Sequence, residues 1–132
     1  MKKLIILLEI IIMILLLIAS GPAAETQEQK HFLMTATAYY PGAESCWPFD
    51  DGFTAIGDIA GKGCVAIDDK TGPLKMGQMV FIPGYGIGKC NDRGSAIKDW
   101  KIDLCFDTIE EAREWGRKLV KVYLIEGGNY AK

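Results

Sequence analysis

The stretch KCNDRGSAIKDWKIDLCFD, residues 89–107, sets aspartates at positions 92, 99, 103 and 107 among apolar residues. Ile102, Leu104 and Phe106 alternate with Asp103, Cys105 and Asp107, so one face of an extended segment is apolar and the other carries the acids. Acidic side chains are poor strand formers, and their placement here needs a reason: turn capping, metal binding or proton chemistry. Asp103 and Asp107 are separated by roughly 13 Å along a strand and do not touch. Asp92 differs. If residues 93–101 fold back, Asp92 comes opposite Asp103. A neighbouring carboxylate and burial both raise the pKa of an acid, which is how a carboxyl keeps the proton it donates as a general acid. Two carboxylates about 5–10 Å apart are also the equipment for breaking a glycosidic bond. Tyr39, Tyr40, Trp47 and Trp100 lie near the loops as sugar-stacking surfaces.

Each of these residues also has a structural reading. Asp107 precedes a helix and suits a cap, Asp92 precedes Arg93-Gly94 and suits a turn, and Asp68 and Asp69 end a strand. Tyr39 and Trp115 read as core, and His31 as solvated. Three aspartates offer oxygen ligands to a hard cation, but the stretch lacks the alternating ligand spacing of a calcium loop. No metal or other cofactor is assigned.

Outward from this stretch, short strand-like runs alternate with Gly and Pro. Residues 32–40 form a first strand with Thr35, Thr37 and Tyr39 on one face. Residues 41–62 read as a long loop, a feature often tied to function in a small domain. Strands are predicted at 63–67, 79–82, 87–91, 102–106 and 118–125. Thr108 and Glu111 form a capping box for one helix, with Ile109, Ala112, Trp115 and Leu119 on its apolar face. Gly116 weakens that helix, and its missing side chain suits close packing on a sheet. The fold class is mainly β, a small barrel with a helical insertion.

The chain has 132 residues and a net charge of −2. It opens with Lys2-Lys3 and an apolar run from Leu4 to Ala19 broken by Glu9, followed by small residues. That run is short for a membrane span of about 20 residues. Residues 1–24 therefore read as an export signal or, alternatively, a membrane tether through residues 4–19. Residues 25–32 are a spacer, 33–126 one domain and 127–132 a tail. No basic stripe is present, so nucleic acid is not expected as a partner. Cys46, Cys64, Cys90 and Cys105 all follow the apolar run; in an exported chain they are disulfide candidates with three pairings open.

The segments Asp92-Arg93-Gly94-Ser95-Ala96-Ile97-Lys98, Ile102-Asp103-Leu104 and Phe106-Asp107 resemble the 3D domain, named for three aspartates. Thr35-Ala36-Thr37-Ala38-Tyr39, Thr54-Ala55-Ile56-Gly57, Val65-Ala66-Ile67-Asp68, Pro73-Leu74-Lys75-Met76-Gly77 and the helix from Glu110 to Arg117 extend the resemblance. That domain resembles the catalytic part of MltA-type lytic transglycosylases and occurs in stationary-phase muralytic and YabE-like wall proteins. The resemblance implies a six-stranded double-psi β-barrel with one or two short helices. It also implies metal-free cleavage of the β-1,4 bond between N-acetylmuramic acid and N-acetylglucosamine in peptidoglycan glycan strands, outside the cell or at the wall. Asp103 matches the acid/base, and Asp92 and Asp107 the other two aspartates. Thr37, Tyr39, Asp68 and Lys98 are the candidate substrate contacts. The alternatives are a glycan-binding module without catalysis and a hydrolase on the same bond. Arg93, Ser95 and Asp99 depart from the family pattern, and Arg93 is placed to pair with Asp92. A Cys90–Cys105 bridge would brace the site, leaving Cys46–Cys64 to pin the long loop.

Overall fold

The computed structural model describes residues 1–19, 21, 28–42 and 51–127. Residues 2–19 form helix α1 (Lys2–Ala19), with no buried side chain. Its Lys2, Lys3 and Glu9 interrupt an otherwise apolar surface, and no helix among the described residues is long and apolar enough to cross a membrane.

Alternation of apolar and polar residues drives the strands that follow, because a two-residue period commits one face to the interior. In β1 (His31–Tyr39), Met34 and Ala36 turn inward while His31, Leu33, Thr35 and Thr37 turn outward. The remaining strands are β2 (Cys64–Ala66), β3 (Met79–Ile82), β4 (Gly86–Asp92), β5 (Lys101–Cys105) and β6 (Lys118–Leu124). They close into a barrel in the order β1-β5-β2-β4-β3-β6. Two pairs, β1/β5 and β2/β4, are parallel and the others antiparallel. The closed barrel leaves no unpaired strand edge.

Val65, Val80, Ile82, Cys90, Ile102, Leu104 and Val122 fill the interior with almost no exposure. A second buried cluster sits on the outward side of β1, β2 and β5, formed by Tyr39, Cys64, Ala66, Ile97 and Cys105. It is roofed by the loop that Ile97 belongs to. The barrel therefore has a thin second layer over one sector.

Helix α2 (Ile109–Trp115) begins where the capping box predicts: the Glu111 amide donates to Thr108 Oγ1 at 3.2 Å. Ala112 and Trp115 are its buried residues, and Trp115 packs on Tyr85 and Phe106. Leu119 leaves the predicted apolar face. It belongs to β6, where it points outward and is exposed. Gly116 also has a different use from the one expected. An added Cβ would approach only Arg113 O at 3.9 Å, so no close packing requires glycine. Its φ of 66° does, because that left-handed turn ends the helix and starts β6.

The expected Cys90–Cys105 bridge is absent. Strand β2 lies between β4 and β5, which puts the two Cα atoms about two strand spacings, or 9.5 Å, apart. A disulfide needs less than about 7 Å. The two side chains also face opposite ways, Cys90 into the core and Cys105 into the outward cluster. Burial pushes the Cys90 thiol up to about 12, which makes it unreactive. The Cys46–Cys64 pairing involves Cys46, outside the described residues. The Cys64 thiol donates to Ile59 O at 3.6 Å.

Candidate active site

Register builds the site. Thr37 on β1 is paired with Asp103 on β5, Asp103 with Ala66 on β2, and Ala66 with Asp92 on β4. Cross-strand partners share a face, so the row Thr37–Asp103–Ala66–Asp92 runs across four adjacent strands. An irregularity between Val65 and Ala66 advances β4 by one residue. Without that bulge Asn91, not Asp92, would stand opposite Ala66. The alanine at the centre leaves a trough between two carboxylates whose Cα atoms are about 10 Å apart.

The two acids are held differently. Asp103 accepts from Thr37 Oγ1 at 2.8 Å. Burial raises its pKa, the Thr37 bond and nearby Lys101 lower it, and the Asp92 charge raises it; the sum is upward from 3.8. The proton-bound form is favoured by desolvation of the charge. Thr37 serves either form, because its hydroxyl also lies 3.3 Å from Ile102 O and can donate there while accepting from a protonated Asp103. Asp92 instead receives Tyr39 Oη at 2.8 Å on one oxygen and the amides of Ala55 and Arg93, each at 2.9 Å, on the other. Three donors fix its orientation and stabilise a charge beside Asp103.

Tyr39, expected to touch substrate, is only 8% exposed and works instead from beneath Asp92. Burial drives its phenol well above the ordinary tyrosine range, so it remains a donor. Asp107 is not in the row. It is exposed at the end of β5 and accepts the Lys62 amide at 2.9 Å, which ties down the loop entering β2. Asp68 organises backbone: its carboxylate accepts from the Lys70, Thr71 and Asp99 amides and the Thr71 hydroxyl, which hold its pKa far below the usual range. Lys98 is exposed on the loop joining β4 to β5.

Arg93 does not pair with Asp92. Its guanidinium forms a two-bonded pair with Asp69 at 2.9 and 2.7 Å. Thr71 links Asp68 to Asp99 by a 2.6 Å bond to the latter. These contacts join the loop after β2 to the loop before β5. Sequence reading missed Ala66, the Ala55 amide and Asp69. The adjacent Asp68-Asp69 was a visible signal for Asp69; an alanine and a backbone N–H carry no signal without register. Among the described residues no group of three His, Cys, Asp or Glu side chains could hold a metal ion.

The comparisons with known proteins agree with this architecture. Residues 63–126, from β2 to the end of β6, match the 3D domain model, and the chain is a 3D-domain protein. It is 34% identical over 100 residues, 73% of its length, to YabE of Bacillus subtilis strain 168, a protein named for cell wall shaping. It is 33% identical over 103 residues, 75% of its length, to YocH of the same organism, named for cell wall binding. The chain spans 23% and 34% of the lengths of these two relatives.

Proposed function

We propose that the chain is a peptidoglycan-cleaving lytic transglycosylase with Asp103 as its acid and base. The observation that carries this reading is the half-buried Asp103, with its raised pKa, held by Thr37 in one row with a fixed Asp92. Protonated Asp103 gives its proton to the glycosidic oxygen as the bond to the muramyl anomeric carbon breaks. The carboxylate left behind accepts the proton of the muramyl 6-hydroxyl as that oxygen bonds to the same carbon. The product is a 1,6-anhydro sugar, no water is consumed, and Asp103 ends protonated as it began.

A single working carboxylate is supported by the state of Asp92. Both its oxygens are already engaged by three donors, a poor arrangement for activating water. Asp92 acts as the fixed charge that favours the protonated Asp103, with Tyr39 as its positioning residue. Asp107 and Asp68 hold the loops bordering the trough, Lys98 is assigned to acidic groups of the substrate, and exposed Trp100 to a sugar face. We read the barrel as double-psi, a topology with which its two parallel pairs are compatible. We read residues 1–24 as the export signal or tether that brings residues 33–126 to the wall.

The second reading, a glycan-binding module, is favoured by the name of YocH. Incubating the full chain and its Asp103→Asn variant with purified peptidoglycan, then identifying products by mass spectrometry, separates the readings. Anhydro-muramyl fragments from the wild type alone are expected. Reducing-end muramyl products mean a hydrolase, and retention on the wall without soluble fragments means a binding module.

A further inference from the structure

A second register row crosses the outward face of the barrel. His31 on β1 is paired with Tyr123 on β6, Tyr123 with Phe81 on β3, and Phe81 with Ile87 on β4. The His31 and Tyr123 ring centroids are 5.5 Å apart and those of Tyr123 and Phe81 6.3 Å, each pair inclined by 39°. Phe81 is 42% and Ile87 59% exposed, and Leu33 and Leu119 extend the apolar surface. Contiguous exposed apolar surface on a soluble domain marks an interaction site.

The chemistry of the row narrows the occupant. The rings form a row across three strands in which His31 and Phe81 are exposed and Tyr123 is half-buried between them. The electron-rich face of an aromatic ring attracts C–H bonds such as those on the apolar side of a sugar ring. Charge agrees. Strands β1, β3 and β6 contain Lys118, Lys121 and His31 and no acid, in a chain whose net charge is −2. Lys121 stands opposite Leu33, beside the ring row, where it suits a carboxylate-bearing polymer. The row is also continuous with the candidate active site. His31, Leu33, Thr35 and Thr37 share the outward face of β1, and six residues of strand place the row about 20 Å from Thr37.

We propose that His31, Tyr123 and Phe81 form a glycan-binding platform distinct from the carboxylate pair, which holds a peptidoglycan strand along the outward face of the barrel. The substrate class rests on the function proposed above; the platform itself rests on the register row.

The test is co-sedimentation of the full chain with insoluble purified peptidoglycan, beside a Phe81→Leu/Tyr123→Leu variant that keeps apolar area and removes two rings. The expected result is at least a tenfold weaker affinity for the variant, with unchanged circular dichroism and unchanged cleavage of short soluble glycan fragments. Equal affinity of variant and wild type overturns the proposal. So does an equal loss on vesicles of anionic phospholipid, which would make the row a membrane-facing surface, or a change in self-association, which would make it an interface between copies. Asp103→Asn should bind as tightly as wild type. If wild type cleaves nothing while the ring variant still loses binding, the catalytic reading falls and the platform stands. If wild type cleaves and the ring variant binds normally, the platform falls alone.

Discussion

Two rows of side chains cross the outward face of one barrel, share strand β1 and have opposite contents. Thr37–Asp103–Ala66–Asp92 is polar, half-buried and covered at its edges by loops. His31–Tyr123–Phe81–Ile87 is apolar, open and free of acids. The lattice that positions them is the same: strand pairing sets which residues line up, and the inward alternation of Met34, Val65, Val80, Ile102 and Leu104 sets which face they take. What differs is solvation. In the first row burial desolvates a carboxyl and raises the proton affinity of Asp103. On the proposed reading, the difference separates chemistry from adhesion on one barrel.

The largest effect that would sharpen this comparison comes from Asp103→Asn. Removing a general acid costs about 10²–10⁴ in rate. Cleavage, read by release of anhydro-muramyl fragments, should fall by that factor while binding to the wall is retained. A variant that still cleaves at wild-type rate would reduce the first row to structure. The same substitution has an opposite effect on stability. A raised pKa means the folded state binds more protons than the unfolded state between 3.8 and the folded value. Stability then falls as pH rises through that window. Asn removes the penalty, so the variant should melt higher than wild type near neutral pH and equal to it below pH 3.8, as followed by calorimetry.

Next in size is Gly72→Ala. A Cβ there would stand 2.5 Å from both Asp68 O and Asp99 O. Both neighbours are backbone, so the loops flanking the site must separate. A loss of about 2–3 kcal/mol in denaturant unfolding is expected, with weaker cleavage and no change at the aromatic row. If wall binding fell equally, the two rows would not be separable.

Tyr39→Phe is gentler. It removes one of three donors from Asp92 and leaves the ring packing intact. Loss of a hydrogen bond to a charged group costs about 1.5–3 kcal/mol. Asp92 is then less firmly oriented beside Asp103, and cleavage should decline about tenfold with an altered pH–rate profile. A lower rate with an unaltered profile would mean Tyr39 only packs.

Much of this was legible in the residues. Alternation located all six strands to within two residues at each end, and Thr108 with Glu111 located α2, because these signals are local. The pairing of Asp92 with Asp103 was foreseen as a fold-back. It is realised through an intervening strand, since Ala66 separates the acids. That strand is what defeats the Cys90–Cys105 bridge and what places Asp92 in the row through a bulge. Asp107 was grouped with the other acids on the two-residue period and on the resemblance to the three-aspartate domain, but β5 ends at Cys105 and Asp107 turns to the Lys62 amide. Neither a bulge nor a strand end is written in alternation. Arg93 went to Asp69 rather than Asp92 for a related reason: the closed barrel brings the loop after β2 beside it, a contact between positions 24 apart in sequence.

That Arg93–Asp69 pair gives the smallest expected effect. The geometry is two-bonded, but the Arg93 side chain is 49% exposed and solvent screens most of its attraction. An exposed pair of this kind contributes little. Arg93→Ala should therefore lower stability only slightly, and the loss should shrink in high salt. Its informative readout is Asp69, whose carboxyl the guanidinium holds below the ordinary value. In the variant, the Asp69 carboxyl carbon followed by NMR should titrate at higher pH. The Asp92 bond from the Arg93 amide is backbone and survives the substitution, so the Asp103 pH dependence of cleavage should not move. A shift in that profile would show that the Arg93 charge, which also feels Asp92, reaches Asp103 through it.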